Sequence, residues 1–273
     1  MNQKVNEELK REIIDFYKTK PMSFHNIQVK YGLSLPTIGK ILINEKKYPK
    51  YLIYNPDFCE NYFQNIDNEF KAYFIGLMIA DGNVFESNDG YERQSSISIT
   101  LDNKDKYILE EFKKSLRINT KISDDGRGCS QIAVRSTQMA KDLSQYGIVP
   151  RKTLTTFLPI INDEYMPHLI RGILDGDGCI GAHYIKSGRF LHFINFCGTH
   201  ELMDGISEYL VKKLNLKTKP KVYDYKNREL SEISIRNIDD MVLVGDFLYE
   251  NANIFLQRKK EKYDIFLSHY ELK

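Results

Sequence analysis

No apolar run in this chain is long enough to cross a membrane; the longest, around Phe74 to Ala80, is far short of a span. Residues 1–20 carry mixed charge and lack the apolar core of a signal peptide. The four cysteines (Cys59, Cys129, Cys179, Cys197) are scattered, with no C-x-x-C pair, so neither a zinc site nor a disulfide framework is expected. The six histidines form no H-E-x-x-H pattern, which argues against a zinc hydrolase. Net charge is also scarce, only +2 at pH 7, and taken alone it is weak evidence for a polyanionic partner.

The distribution of charge says more than its sum. Residues 1–50 hold ten Lys/Arg against five Asp/Glu, while the remainder is slightly acidic. A basic head on a near-neutral body suggests that the head touches phosphate. The apolar positions Leu9, Ile13, Ile14, Phe16 and Tyr17 predict an amphipathic helix over 6–18 that Pro21 ends. Ser23 is a candidate N-cap for a second helix, with Phe24, Ile27 and Val29 facing inward. Gly32 then stands where a helix needs a left-handed exit residue. Ser34, Leu35 and Pro36 open a third helix to about Ile43, with Ile38, Ile41 and Leu42 buried. The order resembles the helix-turn-helix modules of DNA-binding regulators and recombinases. That resemblance implies that Thr37, Gly39 and Lys40 lie near bases and phosphates. The expected organisation is a helix-turn-helix domain over 1–46, a connector over 47–65, and a body in two halves, 66–160 and 161–273.

The body repeats itself. Phe74-Ile75-Gly76-Leu77-Met78-Ile79-Ala80-Asp81-Gly82 returns 96 positions later as Ile170-Arg171-Gly172-Ile173-Leu174-Asp175-Gly176-Asp177-Gly178. Strand-like alternation follows the first copy at Ile97–Leu101 and Gln131–Ser136, with helical stretches at about Lys104–Leu116 and Thr137–Tyr146. After the second copy the order recurs: Phe190–Phe196 and Glu232–Asn237 read as strands, Glu201–Leu214 and Asp239–Tyr249 as helices. Each half therefore reads αββαββα, an α+β unit with helices on one face of an antiparallel sheet. Alternation leaves Ser98, Thr100, Gln131 and Arg135 on the open face of the first half, and Ser234 and Arg236 on that of the second. Polar side chains of this kind can read groove edges, since Arg and Gln fork onto guanine and adenine.

On helices, Gly76 and Ala80 share a face, as do Gly172 and Gly176, and small residues at that spacing let two backbones approach closely. Asp81 and Asp177 then fall at adjacent helix C-termini, where the helix dipole and their mutual repulsion both disfavour them. A bound divalent cation removes both objections, and an all-oxygen ligand set points to magnesium instead of zinc.

These residues resemble the paired motifs of LAGLIDADG homing endonucleases in their single-chain, two-motif form. The second copy is nearer the family pattern; the first has Ile79 where the family often has an acid. The resemblance covers roughly 66–270 and implies two pseudo-symmetric halves with saddle-shaped antiparallel sheets. It implies Asp81 and Asp177 as metal ligands for Mg2+ or Mn2+, with the backbone carbonyls of Ala80 and Gly176 assisting. The segment Gly147–Thr153 resembles family segments that send a basic residue to the active centre, and Phe255–Lys260 repeats its Arg-Lys step near the end of the second half. That role falls on Lys152 and on Lys259, with Lys260 as the alternative in the second half. Asp175 has no acidic counterpart in the first copy and is set aside. The implied function is site-specific hydrolysis of both strands of a long asymmetric double-stranded DNA site, leaving 3′ overhangs, by a cytoplasmic monomer encoded by a bacterium or phage. The competing readings are a non-cleaving DNA-binding transcription regulator on the same core and an RNA-splicing maturase.

Overall fold

The computed structural model describes residues 5–19, 24–44, 57–88, 93–225 and 229–271. Two compact units divide the chain: Met1–Glu60 with Lys113–Asn119, and Asn61–Phe112 with Thr120–Lys273. Among the described residues no helix is long and apolar enough to cross a membrane.

The first unit holds α1 (Glu7–Thr19), α2 (Phe24–Tyr31) and α3 (Leu35–Asn44). Their shared core is Ile13, Ile14, Ile27, Leu33, Ile38, Ile41 and Leu42. Gly32 leaves α2 with φ +64, the left-handed exit that lets α3 turn back onto α2. Ser34 opens α3, its Oγ accepting from the Thr37 N–H at 3.4 Å. One expectation fails here: Val29 is 72% exposed, not buried. Ile27 faces the core, and two positions along a helix is more than half a turn away, so the two cannot share a face. Pro21, Ser23, residues 45–46 and the 47–56 part of the expected connector lie outside the described residues.

The second unit carries the repeat. The first half of the repeat runs α4 (Glu69–Ala80), β1 (Gly82–Asn88), β2 (Arg93–Asp102), α5 (Lys106–Leu116, of which the residues from Lys113 fall in the first unit), β3 (Ser123–Asp124), β4 (Cys129–Arg135) and α6 (Thr137–Ser144). The second runs α7 (Met166–Asp177), β5 (Cys179–Tyr184), β6 (Phe190–Gly198), α8 (His200–Leu214), β7 (Val222–Asp224), β8 (Ser231–Ile235) and α9 (Ile238–Tyr249). Both are αββαββα, and both sheets are antiparallel with matching order, β1-β2-β4-β3 and β5-β6-β8-β7. The register matches as well: Ile99 faces Ile132 as Phe196 faces Ile233. Those apolar side chains and Ile97, Val134, Ile194 and Ile235 are buried beneath helices on one face.

A final helix, α10 (Gln257–His269), packs on β5 and is not foreseen by the apolar pattern. Its buried face is Lys259, Tyr263 and Phe266, so a lysine stands where the apolar periodicity needs a hydrophobe. The strand expected over 232–237 stops at Ile235, because the Asn237 side chain caps α9 by accepting from the Asp240 N–H at 3.1 Å.

Candidate active site

The site is built on the contact between α4 and α7. Asn68 caps α4, its Oδ1 accepting from the Lys71 N–H at 3.1 Å, and every residue from Ala72 to Ile79 is buried. Pro167 lies in the first turn of α7, where its missing N–H costs nothing. The helices meet backbone to backbone. A Cβ on Gly76 would lie 2.0 Å from the Leu169 carbonyl oxygen, and one on Gly172 would lie 2.1 Å from that of Tyr73. One turn further, a Cβ on Gly176 would strike the Ala80 Cβ at 2.2 Å and lie 3.2 Å from Asp81 Oδ2. The absence of side chains on this stripe thus sets the Asp81 carboxylate against the end of α7.

Asp81 is the C-cap of α4 and Asp177 the last residue of α7. Among the described residues neither carboxylate takes a hydrogen bond, and both titrate high. Burial raises Asp81 to about 6, the neighbouring Asp177 charge adds to it, and Lys259 and Lys152 oppose it. Burial also raises Asp177, against the same two lysines.

Each lysine closes the end of its own half's motif helix. Lys152 is buried, on a short turn behind Arg151, and its Nζ donates to the carbonyls of Ile79 at 2.8 Å and Ala80 at 3.1 Å. Lys259, in the first turn of α10, donates to Leu174 at 2.5 Å, Asp175 at 2.7 Å and Gly178 at 2.7 Å. Ammonium groups on helix C-terminal carbonyls offset the negative end of the dipole that makes the two carboxylates costly. Burial lowers both lysines, Lys259 to about 8, with Asp175 pulling it back up. Lys260 points elsewhere, to Asp264 one turn along α10.

Asp175 is fully interior. It accepts from the Tyr73 hydroxyl at 2.9 Å and the Leu256 N–H at 2.7 Å, which ties α7 to α4 and to the start of α10. Arg171 is also wholly buried. It donates to Glu69 at 2.7 Å, to Ile254 O at 2.8 Å and to Leu248 O. Both acid and base of this motif interior serve the helix contact, leaving Asp81 and Asp177 as the pair facing out.

That pair fits a hard divalent cation: two partly desolvated carboxylates without hydrogen-bond donors, next to the main-chain carbonyl of Ala80. The Ala80 oxygen already accepts from Lys152 and keeps its second lone pair. Among the described residues no group of three His, Cys, Asp or Glu side chains clusters, so the acidic donors are these two.

The open sheet faces hold the remaining candidates. Thr100, Gln131 and Arg135 are exposed and Ser98 is half-buried; the Gln131 amide donates to Thr100 Oγ1 at 2.9 Å. In the second half Arg236 Nε donates to Ser234 Oγ at 2.9 Å, and Ser234 donates to Asn195 Oδ1 at 2.6 Å. The network continues through Asn195 Nδ2 to Glu232 Oε1 at 2.8 Å. Sequence pattern misses Asn195 because Phe190–Phe196 is apolar on both faces; the register that puts it opposite Ser234, as Ser98 stands opposite Ala133, is the signal that finds it. In the first unit Thr37 is half-buried, sharing a hydrogen bond with Ser34 at 2.8 Å, while Gly39 is half-buried and Lys40 exposed.

No family profile matches the chain. One curated protein, DNA-directed RNA polymerase subunit Rpo1C of Methanocaldococcus jannaschii, is 28% identical over 165 residues, or 57% of this chain. The chain spans only 17% of that protein. Among solved structures, the I-SmaMI LAGLIDADG homing endonuclease bound to cleaved DNA superposes with a TM-score of 0.55 at 15% identity. That match covers 76% of this chain and 91% of the other. The LAGLIDADG meganuclease I-AabMI bound to uncleaved DNA gives 0.54 at 16% identity, covering 75% and 91%. With its doubled motif, glycine-packed helix pair and twin four-stranded sheets, this chain has the single-chain LAGLIDADG homing endonuclease fold.

Proposed function

We propose that the protein is a site-specific DNA endonuclease that hydrolyses a phosphodiester on each strand of a long, asymmetric double-stranded site with a divalent metal. The observation that carries this reading is the convergence of Asp81 and Asp177 at the ends of two glycine-packed helices, each end closed by a buried lysine ammonium. The similarity to I-SmaMI and I-AabMI, both solved with DNA, supports it.

Asp81, Asp177 and the Ala80 and Gly176 carbonyls would hold Mg2+ or Mn2+, which supplies polarisation of the scissile phosphate and an activated water. The chain's own part is electrostatic and geometric. Lys152 and Lys259 keep positive charge beside the developing phosphorane and hold the helix ends that carry the two acids. The open sheets present Ser98, Thr100, Gln131 and Arg135 from one half, and Ser234 and Arg236 from the other, to the DNA, for contacts to base edges or to the backbone. The acids meet at the centre, under the minor groove, and cutting both strands across it leaves 3′ overhangs. Thr37 and Lys40 add a separate DNA contact in the first unit.

The test is cleavage of a plasmid library of randomised sites with and without magnesium. Metal-dependent double-strand cuts that Asp81→Asn and Asp177→Asn abolish, with DNA binding retained, support the enzyme. Binding that ignores metal, with no cuts, would identify a transcription regulator instead.

A further inference from the structure

A second charged feature lies away from the carboxylate pair. β7 begins only at Val222, opposite Ile233; just before it Pro220 has no N–H to offer a neighbouring strand, and its carbonyl accepts from the Ser207 hydroxyl of α8 at 2.6 Å. The edge of β8 beyond Ile233 therefore stays unpaired, and a cleft of about 290 Å³ opens beside it. Lys219, Lys221, Thr218, Ser234, Arg236 and Asn237 are among its walls. The acid in its lining, Asp240, is already committed: its carboxylate accepts from the N–H groups of Lys217 at 2.7 Å and Thr218 at 3.0 Å. Lys219 reaches a carboxylate only at 3.6 Å, from exposed Glu208. Lys221 and Arg236 have no ion-pair partner among the described residues. Arg236 is fixed in place, with its guanidinium over the Phe193 ring at 5.4 Å and its Nε on Ser234, which leaves both terminal nitrogens for a ligand.

The pseudo-symmetry gives an independent pointer. Lys121 stands two residues before Ser123, which pairs with Gln131, and Arg135 stands four after Gln131. Lys221 stands two before Tyr223, which pairs with Glu232, and Arg236 stands four after Glu232. The same Lys–Arg pair thus recurs at the outer corner of each sheet, as two-fold related DNA strands would require.

We propose that this cleft seats a phosphodiester group of DNA lying across the open sheet, gripped by Lys219, Lys221 and Arg236, so that Arg236 fixes the backbone instead of reading a base. The inference rests on the endonuclease reading and names a contact within it. Removing a phosphate contact lowers affinity on every sequence and leaves base preference untouched.

The experiment uses the full chain and a fluorescently labelled duplex of randomised sequence, titrated by anisotropy at several salt concentrations without divalent metal. Lys219→Ala/Lys221→Ala and Arg236→Ala should each weaken binding by about tenfold and flatten the plot of log affinity against log salt by about 0.9 for each phosphate no longer neutralised. Lys212→Ala, on α8 outside the cleft, should leave the slope unchanged. Arg236→Lys should restore most of the affinity, and sequences selected from the pool by Arg236→Ala should match those selected by the unaltered chain. A slope unchanged in the cleft variants, or lowered equally by Lys212→Ala, overturns the site; relaxed preference at one base position overturns the role given to Arg236. If the unaltered chain neither binds the duplex in a salt-dependent way nor cuts, the endonuclease reading itself falls, a different result from either.

Discussion

Asp81 and Lys259 each sit in a protonation state that their surroundings oppose, and the two effects have opposite signs with pH. The folded-state pKa of Asp81 is raised from 3.8 to about 6, so its carboxylate ionises more easily in the unfolded chain. Its contribution to stability is therefore most favourable below about 4 and declines as pH rises to about 6. In metal-free buffer Asp81→Asn should melt at the same temperature as the unaltered chain near pH 4 and a few degrees higher at pH 7.5; calorimetry at the two values checks this. The folded-state pKa of Lys259 is lowered from 10.5 to about 8, so the ammonium costs stability at neutral pH and that cost fades between about 8 and 10.5. Cleavage should fall as pH rises past about 8, when the buried charge is neutralised. A Lys259→Arg variant that retains any cutting should hold its rate to higher pH, and Lys259→Met should cut poorly throughout. A falling limb at the same pH in Lys259→Arg would assign it to another group.

At the level of elements, the α4–α7 contact has no slack. Gly76→Ala or Gly172→Ala puts a methyl about 2 Å from a carbonyl oxygen of the opposite helix. The helices must separate, and stability should fall by about 3 kcal/mol or more in a urea melt. The Glu69–Arg171 pair fastens the other end of this helix pair and belongs to both halves. Glu69→Gln leaves a fully buried guanidinium without its counter-charge, and a drop of about 3 kcal/mol is expected by the same measurement. Periodicity shows α4 and α7 as a pair because their glycines recur four apart. It fails for α10, whose buried face begins with a lysine, and for Val29, an apolar residue on the solvent side of a short helix. In both cases hydrophobicity is a poor guide because the partner surface, polar carbonyls for Lys259 and solvent for Val29, is out of reach of local pattern.

For the molecule as a whole, both motifs lie in one chain, so one chain supplies both carboxylates and its two sheets need not read the same bases. The first unit contributes a three-helix core and an exposed Lys40 on α3. The double variant Thr37→Ala/Lys40→Ala should weaken DNA affinity by several-fold while leaving the cleavage rate at saturating protein unchanged. A slower rate at saturation would tie α3 to the chemistry and contradict a purely binding role.

The sequence by itself determined the doubled Asp-Gly motif, the small-residue stripe that pairs its helices, the αββαββα order and the alternation that separates buried Ile132 and Val134 from exposed Gln131 and Arg135. These are local, because helix and strand periods and the steric need for glycine are written within a few residues of each other. Only the tertiary structure decided that Asp175 binds Tyr73 and Leu256 while Asp177 is left to face Asp81, that Lys259 and not Lys260 covers a helix end, and that Asn195 joins the second open face. Each of these depends on a partner roughly 40 to 100 residues away, as Lys259 does on the Leu174 and Asp175 carbonyls. A side chain's charge state and direction are set by what the fold packs around it, and that neighbourhood exists only once the two halves are joined.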